Sequence, residues 1–158
     1  MISTREQGFT LIELLVVAIV VGILGTLVAM TYSGVQSKNR NSDRELSIDA
    51  LQSQMETYYA ENTRYPSITQ LNDSSWRQKN LKGFNSGDMR DPQWSKKIIT
   101  CSANSQPIFV GTPTPKCYSY QATTSDGSSC IDPAIPCAQY SLTAVFEGGE
   151  KYVKTSLN

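Results

Sequence analysis

The sequence of 158 residues contains no histidine. Histidine is the commonest general base and the commonest metal ligand, so its absence removes every Ser–His or Cys–His nucleophile pair. No phosphate-binding loop and no cluster of metal-ligand residues stands out either. The sequence therefore predicts a protein that is not an enzyme and that uses no cofactor or metal ion.

An excess of charge is also missing, since 14 Lys and Arg residues balance 14 Asp and Glu residues. A neutral chain has no overall field to attract nucleic acid or anionic lipid. Lys79, Lys82, Lys96 and Lys97 could meet phosphate, but scattered lysines on a neutral protein are usually only solvated. Nucleic acid is therefore not an expected partner.

Residues 14–37 carry no charge, and no proline precedes Pro66. At about 1.5 Å per residue, a helix over residues 9–30 is roughly 33 Å long, enough to cross a hydrocarbon core of about 30 Å. The segment is therefore predicted to span a membrane. Gly22 and Gly25 lie in its middle, where they either allow close packing between helices or soften the helix by about 1 kcal/mol each.

Glu13 is the one acid beside this apolar run. A carboxylate near the bilayer centre costs roughly 2.5 kcal/mol or more, so Glu13 either reaches the headgroups or has a partner. It ends the hexapeptide Gly-Phe-Thr-Leu-Ile-Glu at residues 8–13, which follows a short polar leader. An ordinary secretory signal loses its apolar stretch on cleavage, whereas here the stretch follows Gly8 and would be retained.

This hexapeptide ahead of an apolar helix resembles the processing site of the type IV pilin family, which includes the pseudopilins of type II secretion and competence systems. The resemblance implies that a prepilin peptidase cleaves between Gly8 and Phe9 and methylates the new terminus at Phe9. It also implies that Glu13 attracts the Phe9 ammonium of a neighbouring subunit during assembly. The likeness is close over about the first thirty residues and only architectural beyond them.

Past the span, the apolar pattern becomes one-sided, with Ile48, Leu51, Met55 and Tyr58 at steps of three and four. This pattern predicts an amphipathic helix that ends near Thr63. In the polar neck (residues 37–45), Arg40 and Arg44 are expected to be solvated and to form weak local pairs with Asp43 and Glu45. A loop with one or two helical turns should follow over residues 66–92. Strand-like segments lie at 97–100, 107–110, 118–122, 139–146 and 152–155, with a hairpin turn at 147–150.

The predicted fold class is α+β, pilin-like, with a long N-terminal helix packed on a small antiparallel sheet. Its predicted divisions are a leader (1–8), a membrane or filament-core helix (9–31), an amphipathic helix (32–63) and a disulfide-bonded globular head (64–158).

The four cysteines are Cys101, Cys117, Cys130 and Cys137, all beyond the span. An even number on one side of a membrane helix suggests disulfides, with three possible pairings. We favour Cys101 with Cys117 and Cys130 with Cys137, because each closes a local loop. A four-thiolate zinc site is the alternative, but no Cys-x-x-Cys pair supports it. Asp126 and Asp132 lack a spaced ligand set and are expected to be turn residues rather than calcium ligands.

Two classes of function fit these features, a structural polymer subunit and a membrane-tethered binding domain. A simple anchor gains nothing from Glu13, so the sequence favours the polymer. The resemblance implies a subunit of an extracellular type IV pilus for motility, adhesion or DNA uptake, with a minor pilin or a pseudopilin as alternatives. Expected partners are copies of itself, the prepilin peptidase and the pilus assembly machinery.

The expected location is the membrane before assembly and a surface filament afterwards. Counting basic residues, with Lys38, Arg40 and Arg44 after the span and only Arg5 before it, slightly favours the opposite orientation. The resemblance and the cysteines place the leader inside the cell.

Overall fold

The computed structural model describes residues 9–82, 90–93 and 109–158, without the side chains of residues 29–31. Three helices and four strands lie within these residues: α1 (Leu11–Asn62), α2 (Ile68–Asn72), α3 (Ser74–Asn80), β1 (Phe109–Val110), β2 (Tyr118–Thr123), β3 (Gln139–Val145) and β4 (Lys151–Thr155). The chain divides between Lys38 and Asn39 into two compact units. This arrangement confirms the α+β, pilin-like fold class.

The first unit contains the apolar part of α1. Among the described residues, α1 is the one helix long and apolar enough to cross a membrane, by length and composition. Its large apolar side chains from Leu11 to Val28 are between 49% and 85% exposed. Within one chain this segment therefore makes no core of its own.

In the second unit, one face of α1 is buried as the spacing predicts. Ile48, Leu51, Met55 and Tyr58 join a single core with β2 and β3, whose inward residues are Tyr118, Tyr120, Ala122, Tyr140, Leu142 and Ala144. Burying a large apolar side chain stabilises the fold by about 1.5–3 kcal/mol, so this face anchors the helix to the sheet. The helix ends before Thr63, which adopts a left-handed φ of 54°.

The sheet is mixed rather than antiparallel, which corrects the prediction at one edge. Its order is β1-β2-β3-β4; β1 runs parallel to β2, and the other two pairs are antiparallel. At this edge, the side-chain amide of Asn72, at the end of α2, pairs with the backbone of β1. This amide donates to the Phe109 carbonyl and accepts from the Phe109 N–H, both at 3.0 Å. A strand of only two residues has too short a sequence pattern to indicate that it pairs in parallel.

The hairpin between β3 and β4 confirms the predicted turn. The Phe146 N–H donates to the Glu150 carbonyl at 2.8 Å, and Gly149 takes a φ of 88°, which glycine adopts without strain. At the outer edge, the Gln52 side chain of α1 donates to the Thr155 carbonyl of β4 at 2.8 Å. The predicted strand at 97–100 lies outside the described residues.

The polar neck is not simply solvated, and the expectation for Arg44 is wrong. Its side chain is 1% exposed and donates to both carboxylate oxygens of Asp91, at 2.7 and 3.0 Å. The Asp91 side chain is itself 2% exposed. Arg40 pairs with Glu147 in the β3–β4 turn rather than with a helix neighbour. These two arginines join the helix to two loops, so the neck is part of the folded unit.

Tyr118 on β2 is buried, and its hydroxyl makes no hydrogen bond. Burial raises the pKa of Tyr118 from 10.0 to about 12; the nearby Ser47 side chain offsets part of this rise without reaching hydrogen-bond geometry. The neutral hydroxyl is therefore favoured in the folded state. Stability from this group is complete below pH 10 and is lost as pH rises toward 12.

We expect Tyr118→Phe to leave stability at pH 7 unchanged or to raise it by about 1 kcal/mol, because an unpaired polar group is removed. Between pH 10 and 12 the variant should lose less stability than the wild type. Urea unfolding at pH 7 and again between pH 10 and 12 measures the free energy of unfolding of each protein. Tyr140→Phe is the control, since the Tyr140 hydroxyl donates to Glu56 at 2.8 Å and its loss should destabilise by about 1–3 kcal/mol. Equal losses of unfolding free energy at pH 7 from the two variants would contradict the conclusion that the Tyr118 hydroxyl is unpaired.

Candidate assembly site

The N-terminal end of α1 carries a reciprocal pair of side-chain contacts. Phe9 and Thr10 precede the helix, and the first helical bond runs from the Leu14 N–H to the Thr10 carbonyl at 3.3 Å. The Glu13 N–H donates to Thr10 Oγ1 at 3.4 Å. In return, the N–H and the hydroxyl of Thr10 donate to Glu13 Oε2 at 3.5 and 3.4 Å. This arrangement is a capping box, which satisfies free donors at a helix start.

The capping box gives Glu13 a partner within its own chain. From the sequence alone, this carboxylate is expected either to reach the headgroups or to pair with a neighbouring subunit. The pattern Thr-x-x-Glu ahead of an apolar run is nevertheless a known capping signature, and residues 10–13 match it. The missed residue is therefore Thr10.

The predicted cleavage residues lie at this same end. Phe9 is 80% exposed and outside the helix, whereas Gly8 lies outside the described residues. Glu13 lies in the first turn of α1, close in sequence to Phe9. The structure thus places Phe9 and Glu13 at the end of a helix whose apolar surface is exposed on every side. Such a surface requires lipid or protein neighbours to cover it.

The two mid-helix glycines have free space around them. A Cβ atom added at Gly22 or Gly25 would meet nothing within 4 Å. Nearby, the Thr26 hydroxyl donates to the Ile23 carbonyl at 2.8 Å, a bond that can bend a helix. Within one chain these glycines serve no close contact, so a packing role would need a neighbouring subunit.

The head contains the favoured disulfide between Cys130 and Cys137. Cys117 is also disulfide-bonded, and its predicted partner Cys101 lies outside the described residues. A zinc site using all four thiolates is incompatible with the Cys130–Cys137 bond. No group of three or more metal-ligand side chains is gathered elsewhere in the described residues.

The two candidate calcium ligands are turn residues. The Asp126 carboxylate accepts from the Thr124 hydroxyl and from the Ser128 N–H, and these contacts lower its pKa. The Asp132 carboxylate accepts from the Ala134 N–H at 2.8 Å. Each aspartate therefore stabilises its own turn.

The disulfide loop is attached to the exit of α1. The Tyr65 N–H donates to the Cys137 carbonyl at 2.9 Å, and the Thr69 hydroxyl donates to the Ile131 carbonyl at 2.9 Å. The Tyr65 hydroxyl also donates to Glu56 on α1 at 2.9 Å. The loop therefore holds the chain in place where it leaves the helix.

We expect intact protein to contain no free thiol and to keep its fold in the presence of a chelator. Alkylation before and after reduction, under unfolding conditions, counts the thiols. Replacing Cys130 and Cys137 by serine should cost about 2 kcal/mol, from the entropy that a loop this short removes from the unfolded chain. Thiols accessible without reduction, or unfolding by chelator, would contradict the disulfide assignment.

Comparison with known proteins agrees with this geometry. Residues 3–29 match the prokaryotic N-terminal methylation motif. The chain is 38% identical over 66 residues to type II secretion system core protein G of Dickeya chrysanthemi, covering 42% of this chain and 43% of that one. It is 32% identical over 68 residues to the protein of that name from Escherichia coli K12, covering 43% and 47%.

A third relative is the type IV major pilin protein PilA of Myxococcus xanthus, 31% identical over 63 residues, covering 40% of this chain and 29% of that one. The chain thus spans less than half the length of these relatives, and no solved structure matches it. The motif, the relatives and the long helix on a small sheet agree with one another. The N-terminal methylation motif and the likeness to both type II secretion core protein G and a type IV major pilin are consistent with the resemblance to the type IV pilin family.

Proposed function

We propose that the chain is a structural subunit that polymerises through the first part of α1 after cleavage between Gly8 and Phe9 and N-methylation of Phe9. The observation that carries this proposal is a carboxylate, Glu13, at the start of a helix with apolar side chains exposed on every side. In a membrane anchor for a binding domain, that carboxylate would only cap its own helix and would have no neighbouring ammonium to neutralise. The polymer explains both features together.

In the proposed filament, Glu13 neutralises a charge that assembly would otherwise leave buried and unpaired. Lipid tails are as apolar as leucine, so moving residues 11–28 from bilayer to filament gains little hydrophobic energy. Packing and polar contacts must decide whether neighbouring helices associate and in which register. Cleavage creates an ammonium at Phe9, and a buried ammonium needs a countercharge. Glu13 of a neighbouring copy supplies it, exchanging its weak contacts with Thr10 for an ion pair.

The proposed organisation follows the predicted divisions. Residues 1–8 are the leader removed by the prepilin peptidase, and residues 9–31 span the membrane before assembly and form the filament core afterwards. Residues 32–63 and the head (64–158) form the part outside the membrane. The assembly machinery is the other expected partner.

The filament we propose is an extracellular type IV pilus. A disulfide-bonded head suits an oxidising exterior, and Cys130, Cys137 and Cys117 are all oxidised. A second candidate is a pseudopilin, which the likeness to type II secretion core protein G favours. The two candidates share the same cleavage and assembly chemistry and differ in where the filament resides.

Mass spectrometry of sheared surface filaments tests the proposal. We expect the most abundant chain to begin with methylated Phe9, and Gly8→Val to leave uncut precursor in the membrane. A peptide that starts at Met1, or beyond the apolar run, would contradict the pilin function. Surface filaments that lack the chain, together with a secretion defect in its deletion strain, would favour the pseudopilin.

A further inference from the structure

The outer face of the sheet, opposite the core, differs in chemistry from the inner face. The inward residues of β2 and β3 are aromatic or aliphatic. Among the residues that alternate with them, the register pairs Gln121 with Ser141, Ser141 with Thr155, and Thr123 with Gln139. Side chains paired across strands in this way lie on one face of the sheet. Hydroxyl and amide groups from three strands are therefore gathered on the outer face.

A groove of about 330 Å³ lies on this face at the end of β4, and we call it the polar groove. Its volume falls within the range of about 300–1,000 Å³ that small-molecule sites occupy. Every described residue that lines the groove carries a hydroxyl or an amide, and none of these residues carries a charge. The lining residues on which the argument rests are Gln121, Thr123, Gln139, Ser141, Thr155 and Asn158.

Most of these polar groups are available to a ligand. Within the part of the chain that the structure describes, the side chains of Thr123, Gln139, Ser141 and Thr155 make no hydrogen bond. The Gln121 side chain donates to the Gly111 carbonyl at 2.6 Å, which fixes the amide and leaves its oxygen free to accept. The polar groove thus presents free donors and acceptors on a rigid sheet.

The segment that follows β4 forms one wall of the polar groove and is held in place. The Ser156 N–H donates to the Tyr140 carbonyl at 3.1 Å, which continues the pairing of β3 with β4. The Leu157 N–H and the Asn158 side chain donate to Glu56 on α1 at 3.3 and 3.4 Å. A site that is ordered beforehand loses less conformational entropy when a ligand binds.

The chemistry of the lining excludes several classes of ligand. Nucleic acid is bound mainly through Lys and Arg contacts to phosphate, and lipid requires apolar side chains; the described lining supplies neither. A peptide that adds to a sheet pairs with the backbone of an edge strand and places side chains in pockets. The polar groove lies instead on the face of three paired strands, where only side chains are free.

A neutral carbohydrate matches what remains. Each sugar hydroxyl both donates and accepts, as do the hydroxyl groups of Ser and Thr, while Gln and Asn amides offer both roles side by side. Neighbouring strands are about 4.8 Å apart, so the row from Gln121 through Ser141 to Thr155 has a spacing comparable to the width of a pyranose ring.

We infer that the polar groove binds a neutral carbohydrate, whose hydroxyl groups exchange hydrogen bonds with Gln139, Ser141 and Thr155. Binding by the head is separate from polymerisation through the first part of α1, so this inference goes beyond the proposed function. A filament would repeat the groove on every subunit. Weak binding at single sites would then add up on a surface that carries many glycans.

The test titrates the full-length chain with neutral disaccharides, namely lactose, cellobiose, maltose and chitobiose. The detergent has no sugar headgroup, so that it does not compete for the polar groove. NMR signals of the side-chain amides of Gln121 and Gln139 report binding. We expect at least one disaccharide to shift both signals at millimolar concentration. Added salt should leave the affinity unchanged, because no charged group takes part.

Variants assign the binding to the polar groove. Thr155→Val and Gln139→Met remove hydrogen-bonding groups with little change in shape, and each should weaken the affinity about fivefold. Thr57→Val on α1 and Gln78→Met on α3 make the same changes at exposed positions elsewhere and should leave the affinity unchanged. The Gln121 signal follows binding in all four variants.

The absence of shifts with every disaccharide would overturn the inference. So would wild-type affinity in Thr155→Val and Gln139→Met, or equal weakening in the two control variants. Shifts with an uncharged Gly–Ser peptide and with no disaccharide would assign the groove to polypeptide and overturn it as well. Failure of the chain to form filaments, with disaccharide binding intact, would instead contradict the proposed function.

Discussion

Glu13→Gln is expected to reduce filament yield at least about tenfold while membrane insertion and leader cleavage continue. Glutamine keeps the shape of the side chain and can still accept from Thr10, since capping boxes use Glu or Gln alike. It cannot neutralise the Phe9 ammonium of a neighbouring copy. Removing one partner of a buried pair costs about 3–5 kcal/mol, and this cost recurs at every subunit contact.

The measurement combines electron microscopy of surface filaments with immunoblots of cleaved protein. Glu13→Ala, which removes both the charge and the capping oxygen, should reduce filament yield to a similar degree. Equal defects in the two variants would show that the missing charge, rather than the lost cap, is the cause. Glu61→Gln removes an exposed carboxylate near the end of α1 and is the matched control. Wild-type filament yield from Glu13→Gln would show that Glu13 merely reaches the headgroups.

The second large effect is expected at the buried ion pair of the neck. Arg44→Ala should destabilise the second unit by about 3–5 kcal/mol, because it leaves the Asp91 carboxylate buried without a countercharge. Urea unfolding of the full chain in detergent, followed by tryptophan fluorescence, measures the change. Trp76 reports on the core because its ring lies 5.2 Å from that of Tyr58 on α1.

Arg40→Ala provides the control one turn away. Its pair with Glu147 is partly exposed on both sides, 27% and 21%, so its loss should cost no more than about 1 kcal/mol. Replacing Arg44 and Asp91 together by Met and Leu should recover most of the stability, since no lone charge then remains. Equal losses from the Arg40 and Arg44 variants would rule out burial as the cause.

Local patterns predicted the helix and most of the sheet. The apolar run and the spacing from Ile48 to Tyr58 predict a helix over residues 9–63, and the structure has Leu11–Asn62. The last three strands and the glycine turn likewise carry their pattern in neighbouring residues.

Contacts between distant residues account for what the sequence did not show. Arg44 and Asp91 are 47 positions apart, and charges nearer to Arg44 offered simpler pairings. The outer edge of β1 pairs with an amide 37 positions away, at Asn72. Thr10 was different, because its capping pattern is local and readable. Because Glu13 was interpreted as the partner of an ammonium in a neighbouring subunit, its contact with Thr10 in the same chain was not predicted.

The amide side chains at the two sheet edges influence how copies of this chain can associate. An open strand edge is a template on which another chain can add by backbone pairing, which leads to irregular aggregates. Asn72 covers the backbone of Phe109 at one edge, and Gln52 engages the Thr155 carbonyl at the other. In the filament we propose, these two contacts would disfavour the joining of subunits sheet to sheet, so that growth by helix packing would meet less competition.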